Sequence, residues 1–323
     1  MSTTPAGDGF ACRVFCLIDS RKEQSLVVQR TKSKHPLRNR SEIILRNTTV
    51  FLLIAFFVVF FVIPIFMALV GSFYQWNPLR LQFNFLGLDN WKRVFASDLF
   101  WRSMGNTVLF AAVAVVFRVV LGLAIAHALH SKLLKHKSLY RTLFYLPTIT
   151  PMVAVAFVWK FIFDPQFGLL DKLLNTDINW LFDGRYALLA IIILTIWKDF
   201  GFAVVILLGG IYSLPLECYE AAEIDGAGAW QRFMGLTLPL LKPTIFFVAI
   251  VSLISYFQTF IPVMVLTQGG PGTQTYLATY LIYNEAFAKY NFGYASALSF
   301  ILFLIIAVFT GISFKVSGNM NTS

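Results

Sequence analysis

Charge is what this 323-residue chain has least of: Asp, Glu, Lys and Arg together make up only 13% of it. Soluble domains carry about a quarter charged residues, so a solvated globular surface is excluded. Acid is the scarcer sign, 16 Asp plus Glu against 26 Lys plus Arg, and carboxylates are nearly absent from the long apolar stretches. An ion-coupled secondary transporter needs its own coupling site within the membrane, commonly a carboxylate, which leaves that class as the weakest alternative. The four histidines, His35, His127, His130 and His136, are peripheral and lack ligand spacing, so no metal centre or membrane-embedded enzyme is expected. Cys12 and Cys16 are two thiols without a partnering cluster; with Cys218 they are read as reduced cytoplasmic cysteines, not as a metal site. No GxxxxGK[ST] loop occurs, and Gly269, Gly270, Pro271 and Gly272 lack the neighbouring strand and helix of a phosphate cradle.

Apolar residues are plentiful: 58% of the chain, including 34 Phe, with a mean hydropathy of +0.71. They are gathered into continuous runs, without the period-two alternation of barrel strands. Crossing a hydrocarbon layer of about 30 Å takes roughly 20 helical residues. Six segments meet or approach that length: 50–73, 107–129, 143–163, 187–211, 244–266 and 294–314. Since lipid offers no partner to an open backbone, the expected class is an all-α integral membrane protein of about six transmembrane helices.

Orientation follows the basic residues. The segment before the first span holds Arg21, Lys22, Arg30, Lys32, Lys34, Arg38, Arg40 and Arg46, and the second-to-third loop holds Lys132, Lys135, Lys137 and Arg141 without an acid. Both are expected in the cytoplasm, which puts both termini there. The net charge of +10 is accounted for by this topology and by anionic lipid, and no nucleic-acid partner is expected. The first 46 residues form no clear signal peptide, because the apolar patch 10–18 is interrupted by Arg13 and has no cleavable region after it. On the exported side, Trp76, Trp91 and Trp101 suit aromatic anchoring at the interface.

Residues 220–243, EAAEIDGAGAWQRFMGLTLPLLKP, form a polar loop on the cytoplasmic side although its acids outnumber its bases, so topology does not explain its composition. Residues 217–225 are good helix formers, with Ala221 and Ala222 side by side, small enough for close approach by a partner. Gly226 can break or redirect that helix. A second short helix over 227–236 would bring Trp230 and Phe233 near one face, and Pro239 and Pro243 mark the return into the membrane. Physics alone leaves two readings open: a solvated connection, or a helical elbow shaped for a groove on a soluble protein.

The pattern Glu220, Ala221, Ala222, three residues, Gly226, nine residues, then Leu236, Thr237, Leu238 and Pro239 resembles the signature loop of binding-protein-dependent ABC importer permeases. Leu236 stands where that family usually has Ile. Asp225, Gly226, Ala227, Trp230, Gln231, Phe233, Leu238, Pro239 and Pro243 are similar to the carbohydrate-uptake branch, which includes maltose and glycerol-phosphate permeases. Weaker fragments follow in the expected order: residues 85–91, Leu146, Pro147 and Pro151, Trp197, Lys198 and Gly201, and residues 266–271. The resemblance implies a type I importer permease architecture whose coupling helix (Glu220, Ala221, Ala222, Asp225, Gly226, with Trp230, Phe233 and Pro239) docks on a cytoplasmic ATPase. It further implies a second, similar permease, two ATPase subunits that use the ATP and Mg, and an extracytoplasmic solute-binding protein, with no cofactor on this chain. The implied organisation is a basic tail 1–46, a first span and exported loop 47–106, a permease core 107–316 containing the coupling loop 217–243, and a tail 317–323. The implied cargo is a sugar or oligosaccharide, the alternative being an anionic solute such as an acidic oligosaccharide or glycerol phosphate.

On the fifth span Ser252, Ser255, Tyr256 and Thr259 recur at helical spacing, with Gln258 at the edge of the same face. In the resembling family this span lines the cavity, although hydroxyls in membranes also join helix to helix. Arg118 lies near the middle of the second span, where a charge costs about 2.5–3.5 kcal/mol on insertion scales. It is expected to pair with a partner subunit or, as the second reading, to attract an anionic solute; Lys198 is expected to be structural.

Overall fold

The computed structural model describes residues 40–131 and 134–320. Most of the amino-terminal tail, with Cys12, Cys16 and His35, lies outside the described residues, as do Lys132 and residues 321–323. Two compact units meet at Pro64.

In the first unit, α1 (Arg40–Phe57) runs into a π turn, Val58–Val62. Its exposed phenylalanines face one another along the helix, Phe57 and Phe61 with ring centroids 5.3 Å apart, as suits a helix whose sides are lipid-facing. The helical run Glu42–Gly71 has 30 residues, about 45 Å at 1.5 Å per residue, and starts well before the expected residue 50.

The second unit begins within α2 (Ile63–Gly71), which is followed by a hairpin that the apolar runs gave no sign of: β1 (Tyr74–Asn77) pairs antiparallel with β2 (Gln82–Phe85), with Trp76 opposite Phe83. After α3 (Asp89–Phe95), Ser97 caps the 33-residue α4 (Asp98–His130) by accepting from the Phe100 amide. Then come α5 (Lys137–Ile149), α6 (Met152–Ile162), α7 (Leu169–Leu174) and α8 (Ala187–Tyr212). The elbow expected from residues 220–243 comprises α9 (Leu216–Ile224), α10 (Ala229–Arg232), a π turn (Phe233–Thr237) and α11 (Leu238–Leu240). The chain finishes with α12 (Lys242–Phe257), α13 (Ile261–Leu266), α14 (Ala278–Tyr283), a π turn (Asn284–Ala288) and α15 (Phe292–Met320).

Among the described residues 4 helices are long and apolar enough to cross a membrane, and the number rises to 6 if each of the 2 bent pairs is one span. The third and fifth expected spans therefore need correction. The third is α5 and α6 with a bend of 95° between them. Pro151 has no amide to donate and pushes Thr150 into extended backbone, ψ 136°. The fifth enters through a bend of 63° from the elbow into α12 and ends at Phe257, short of the expected 266. Its terminal carbonyl accepts instead from Thr279 Oγ1 at 3.2 Å, and the chain restarts as α13 with Pro262 in its first turn. Lys137 and Arg141, expected in a loop, belong to α5.

Packing of the core depends on small residues. A Cβ on Gly201 of α8 would overlap the Phe144 carbonyl of α5, so only glycine lets these backbones meet. Two buried apolar clusters result. The larger includes Phe110, Phe163, Ile191, Leu194, Tyr256 and Leu281; the smaller includes Ala126, Leu129, Ala203, Leu207, Leu241 and Val248. Asn106 Nδ2 of α4 donates to Gln274 O at 3.0 Å and Tyr276 O at 3.1 Å, tying the glycine-rich turn to the second span.

Candidate functional site

The elbow is built by a helix stop at Gly226. This residue has φ +76°, and the Ala227 amide donates to Ala222 O at 2.9 Å while the Gly226 amide donates to Glu223 O at 3.1 Å. These two bonds are the Schellman arrangement, in which the residue after the cap is left-handed and the last carbonyls of the helix are satisfied. Glycine is needed for the backbone angle and not for space, because nothing lies within 4 Å of a Cβ placed there. Gly228 then opens α10, with the Gln231 side chain accepting from its amide at 2.8 Å.

Two cross-links close the elbow. Arg232 Nη1 lies 3.0 Å from Glu223 Oε2, and the Tyr219 and Thr237 hydroxyls share a hydrogen bond of 2.8 Å. Thr237 is buried, so the second link fastens α9 to the root of the return helix. Beneath, Phe233 lies against the His127 ring of α4, centroids 4.5 Å apart, and Trp230 stacks on Phe233 at 5.8 Å. Tyr219, Glu223, Arg232, Thr237 and His127 were all missed in the sequence, because their contacts join residues on opposite sides of the Gly226 turn or in separate spans.

The elbow exposes several apolar side chains. Ile224 is 87% and Trp230 69% exposed, and Leu216 and Met234 are exposed as well. Glu220, Ala221, Asp225 and Pro239 are also exposed, Ala222 is half-buried, and Cys218 is a free exposed thiol. Single exposed apolar side chains are ordinary, but several on one short elbow, together with the exposed carboxylates of Glu220 and Asp225, have the make-up of a protein contact.

The fifth-span residues do not share one environment. Ser252 is buried and its hydroxyl donates back to Val248 O; Tyr256 is buried; Ser255 is exposed. Gln258 is the residue after the last turn of α12, and Thr259 lies beyond it, so the helical face drawn through all five stops at Phe257. Arg118 is 5% exposed. Its guanidinium lies over the Phe202 ring of α8 at 5.1 Å and the Tyr256 ring of α12 at 5.6 Å. Lys198 Nζ is bonded to Thr148 O at 3.3 Å and stands 3.5 Å from Asp199 Oδ1.

Residues 118–317, which carry both the elbow and these packed spans, match the family described as binding-protein-dependent transport system inner membrane component. The chain belongs to this family. It is 34% identical over 263 residues to the multiple sugar-binding transport system permease protein MsmF of Streptococcus mutans, a match covering 80% of this chain and 90% of that one. To the sn-glycerol-3-phosphate transport system permease protein UgpA of Agrobacterium fabrum it is 32% identical over 262 residues, covering 80% and 89%. The fold resembles that of a bacterial ABC transporter involved in the import of the acidic polysaccharide alginate, with a TM-score of 0.78, 22% identity, and coverage of 88% of this chain and 99% of that one. The protein is thus a multi-pass membrane permease subunit of an ABC importer, with the type I importer permease fold. In this permease the elbow occupies the stretch with the family's signature pattern.

Proposed function

We propose that this permease passes a sugar or oligosaccharide from an extracytoplasmic binding protein into the cytoplasm by alternating access. It works beside a second, similar permease and two ATPase subunits in a bacterial cytoplasmic membrane, with both termini in the cytoplasm. The chain itself is non-catalytic and binds no cofactor; ATP and Mg are used by the ATPases. The observation that carries the reading is the elbow, a braced helix pair presenting Glu220, Ala221, Ile224, Asp225 and Trp230 outward. Ile224 and Trp230 are the anchors for a groove on the ATPase, the alanines allow close backbone approach, and Glu220 offers a charge-assisted hydrogen bond to a basic residue there. Closure of the ATPase pair moves the elbow as a body, and the Phe233–His127 contact and the bend into α12 carry that movement toward the spans.

Relatives named for multiple sugars and for glycerol phosphate support the cargo class, and the elbow supports the ATPase partner. The test is to purify the tagged chain from its own cells, identify what comes with it, and reconstitute the complex in vesicles. An ATPase and a binding protein should co-purify, and solute-loaded binding protein should stimulate ATP hydrolysis and uptake together. Uptake that persists without ATP and collapses with an ion gradient would refute the proposal.

A further inference from the structure

Three charged side chains lie in the middle of the packed spans: Arg118 in α4, and Lys198 and Asp199 in α8. Lys198 and Asp199 stand 3.5 Å apart and compensate each other, which leaves Arg118 as the excess charge. Among the described residues no carboxylate comes within ion-pair distance of it. Its Nε is buried without a hydrogen-bond partner, and so is the hydroxyl of Tyr256, whose ring lies against the guanidinium. Aromatic faces attract a cation but accept no N–H in the manner of an oxygen lone pair. The Tyr256 oxygen is near enough to interact with the guanidinium, but it is neutral, so the position holds a fixed positive charge with no anionic partner among the described residues.

This pattern is selective in chemical terms. A sugar hydroxyl can accept from the guanidinium but leaves its charge uncompensated, whereas a carboxylate or phosphate oxygen accepts from the guanidinium and the phenol together and cancels the charge. The side chain is covered from within its own subunit, by Phe202 of α8 and Tyr256 of α12, which argues against the first expectation that it pairs with a partner subunit. Tyr256 sits on the helix that leads directly from the elbow, so movement at the elbow bears on one wall of this position.

We propose that Arg118 and Tyr256 form an anion-selective position in the solute pathway, and that this permease admits solutes bearing a carboxylate or phosphate group in preference to neutral ones. The inference rests on the importer reading above. Its test uses the source cells, lacking this gene and complemented with wild type, R118K, R118Q or Y256F. They are grown on a mixed polysaccharide hydrolysate containing neutral and uronate oligosaccharides, supplemented with sn-glycerol 3-phosphate, and the medium is followed by mass spectrometry. Compounds whose depletion depends on the chain should be anionic, and their masses separate the carboxylate from the phosphate source. R118Q should raise the apparent KM for that solute at least tenfold with R118K intermediate, and Y256F should raise it several-fold. Assembly with the ATPase, read by co-purification, should be unchanged in Y256F, which keeps the ring and removes only the hydroxyl.

Depletion of neutral oligosaccharides alone would overturn the proposal. So would anionic uptake with unchanged KM in assembled R118Q or, should R118Q not assemble, in Y256F. If no compound depends on the chain, the importer reading fails first and this inference with it.

Discussion

Replacing Gly226 by valine tests the elbow most directly, because the structure isolates a single physical cost. A Cβ at this position meets nothing within 4 Å, so crowding contributes nothing and the penalty lies in the backbone angle, φ +76°. An L-residue in the left-handed region costs about 1–2 kcal/mol, and a β-branched one lies at or above the upper end. If the backbone relaxes instead, the bonds from Ala227 to Ala222 and from Gly226 to Glu223 are lost, at about 0.5–1.5 kcal/mol each. Either route shifts the elbow's conformational equilibrium by a factor of about 5–30. The subunit should still insert and keep its packed spans, since Gly226 is exposed. In reconstituted vesicles, solute uptake per ATP hydrolysed should fall by about that factor for Gly226→Val. Gly226→Ala should lie between, and Gly226→Asn nearest wild type because asparagine tolerates the left-handed region. Normal coupled uptake with valine would refute the elbow assignment. Equal loss in all three variants would refute the dihedral argument, since asparagine tolerates the left-handed region far better than valine does.

Three further outcomes follow from the same geometry. Trp230→Ala should change subunit stability by less than about 0.5 kcal/mol, because the side chain is 69% exposed, yet weaken ATPase binding by about 2 kcal/mol, roughly thirtyfold, if it is an interface anchor; unchanged co-purification and affinity would remove it from the contact. Gly201→Ala should destabilise by about 1–3 kcal/mol by overpacking against the Phe144 carbonyl, read as a lower thermal midpoint, whereas Gly235→Ala, which meets nothing within 4 Å, should not; equal midpoints would refute the close α5–α8 approach. In the loop after α6, the amides of Phe167 and Gln166 hold the Asp164 carboxyl below its ordinary range. The local order it provides should be complete above the ordinary carboxylate range and be lost as pH falls through the lowered value; a carboxyl NMR titration with an unshifted midpoint would contradict this.

The spans were legible because lipid imposes a one-dimensional rule: enough consecutive apolar residues must be helical. That rule gave α4, α8 and α15 at once. It misplaced the third and fifth, because an apolar run does not reveal where a proline, or a side chain such as Thr279 supplying a bond to a terminal carbonyl, turns the helix within it. The hairpin Tyr74–Phe85 was missed for a related reason: its ring pairing, Tyr74 on Phe83 at 4.3 Å, arises only between two strands that do not exist separately. In the elbow, Gly226 could be singled out as a turn from its residue type and the pattern around it, but Glu223 with Arg232 and Tyr219 with Thr237 join across that turn, where helical periodicity no longer applies.

Sequence by itself therefore determined the solvent this protein lives in, the resemblance of its 220–243 loop and the place of the glycine that bends it, since each depends on composition or on spacing along one stretch of chain. Tertiary structure alone decided which polar groups are free. Ser252 and Lys198 are engaged within the subunit, Ser255 and Gln258 face outward, and Arg118 and Tyr256 keep unused hydrogen-bonding groups in its interior. The physical reason is that a charge or hydroxyl is satisfied by what approaches it in space, and in a bundle of helices those neighbours come from α4, α8 and α12, which lie far apart along the chain.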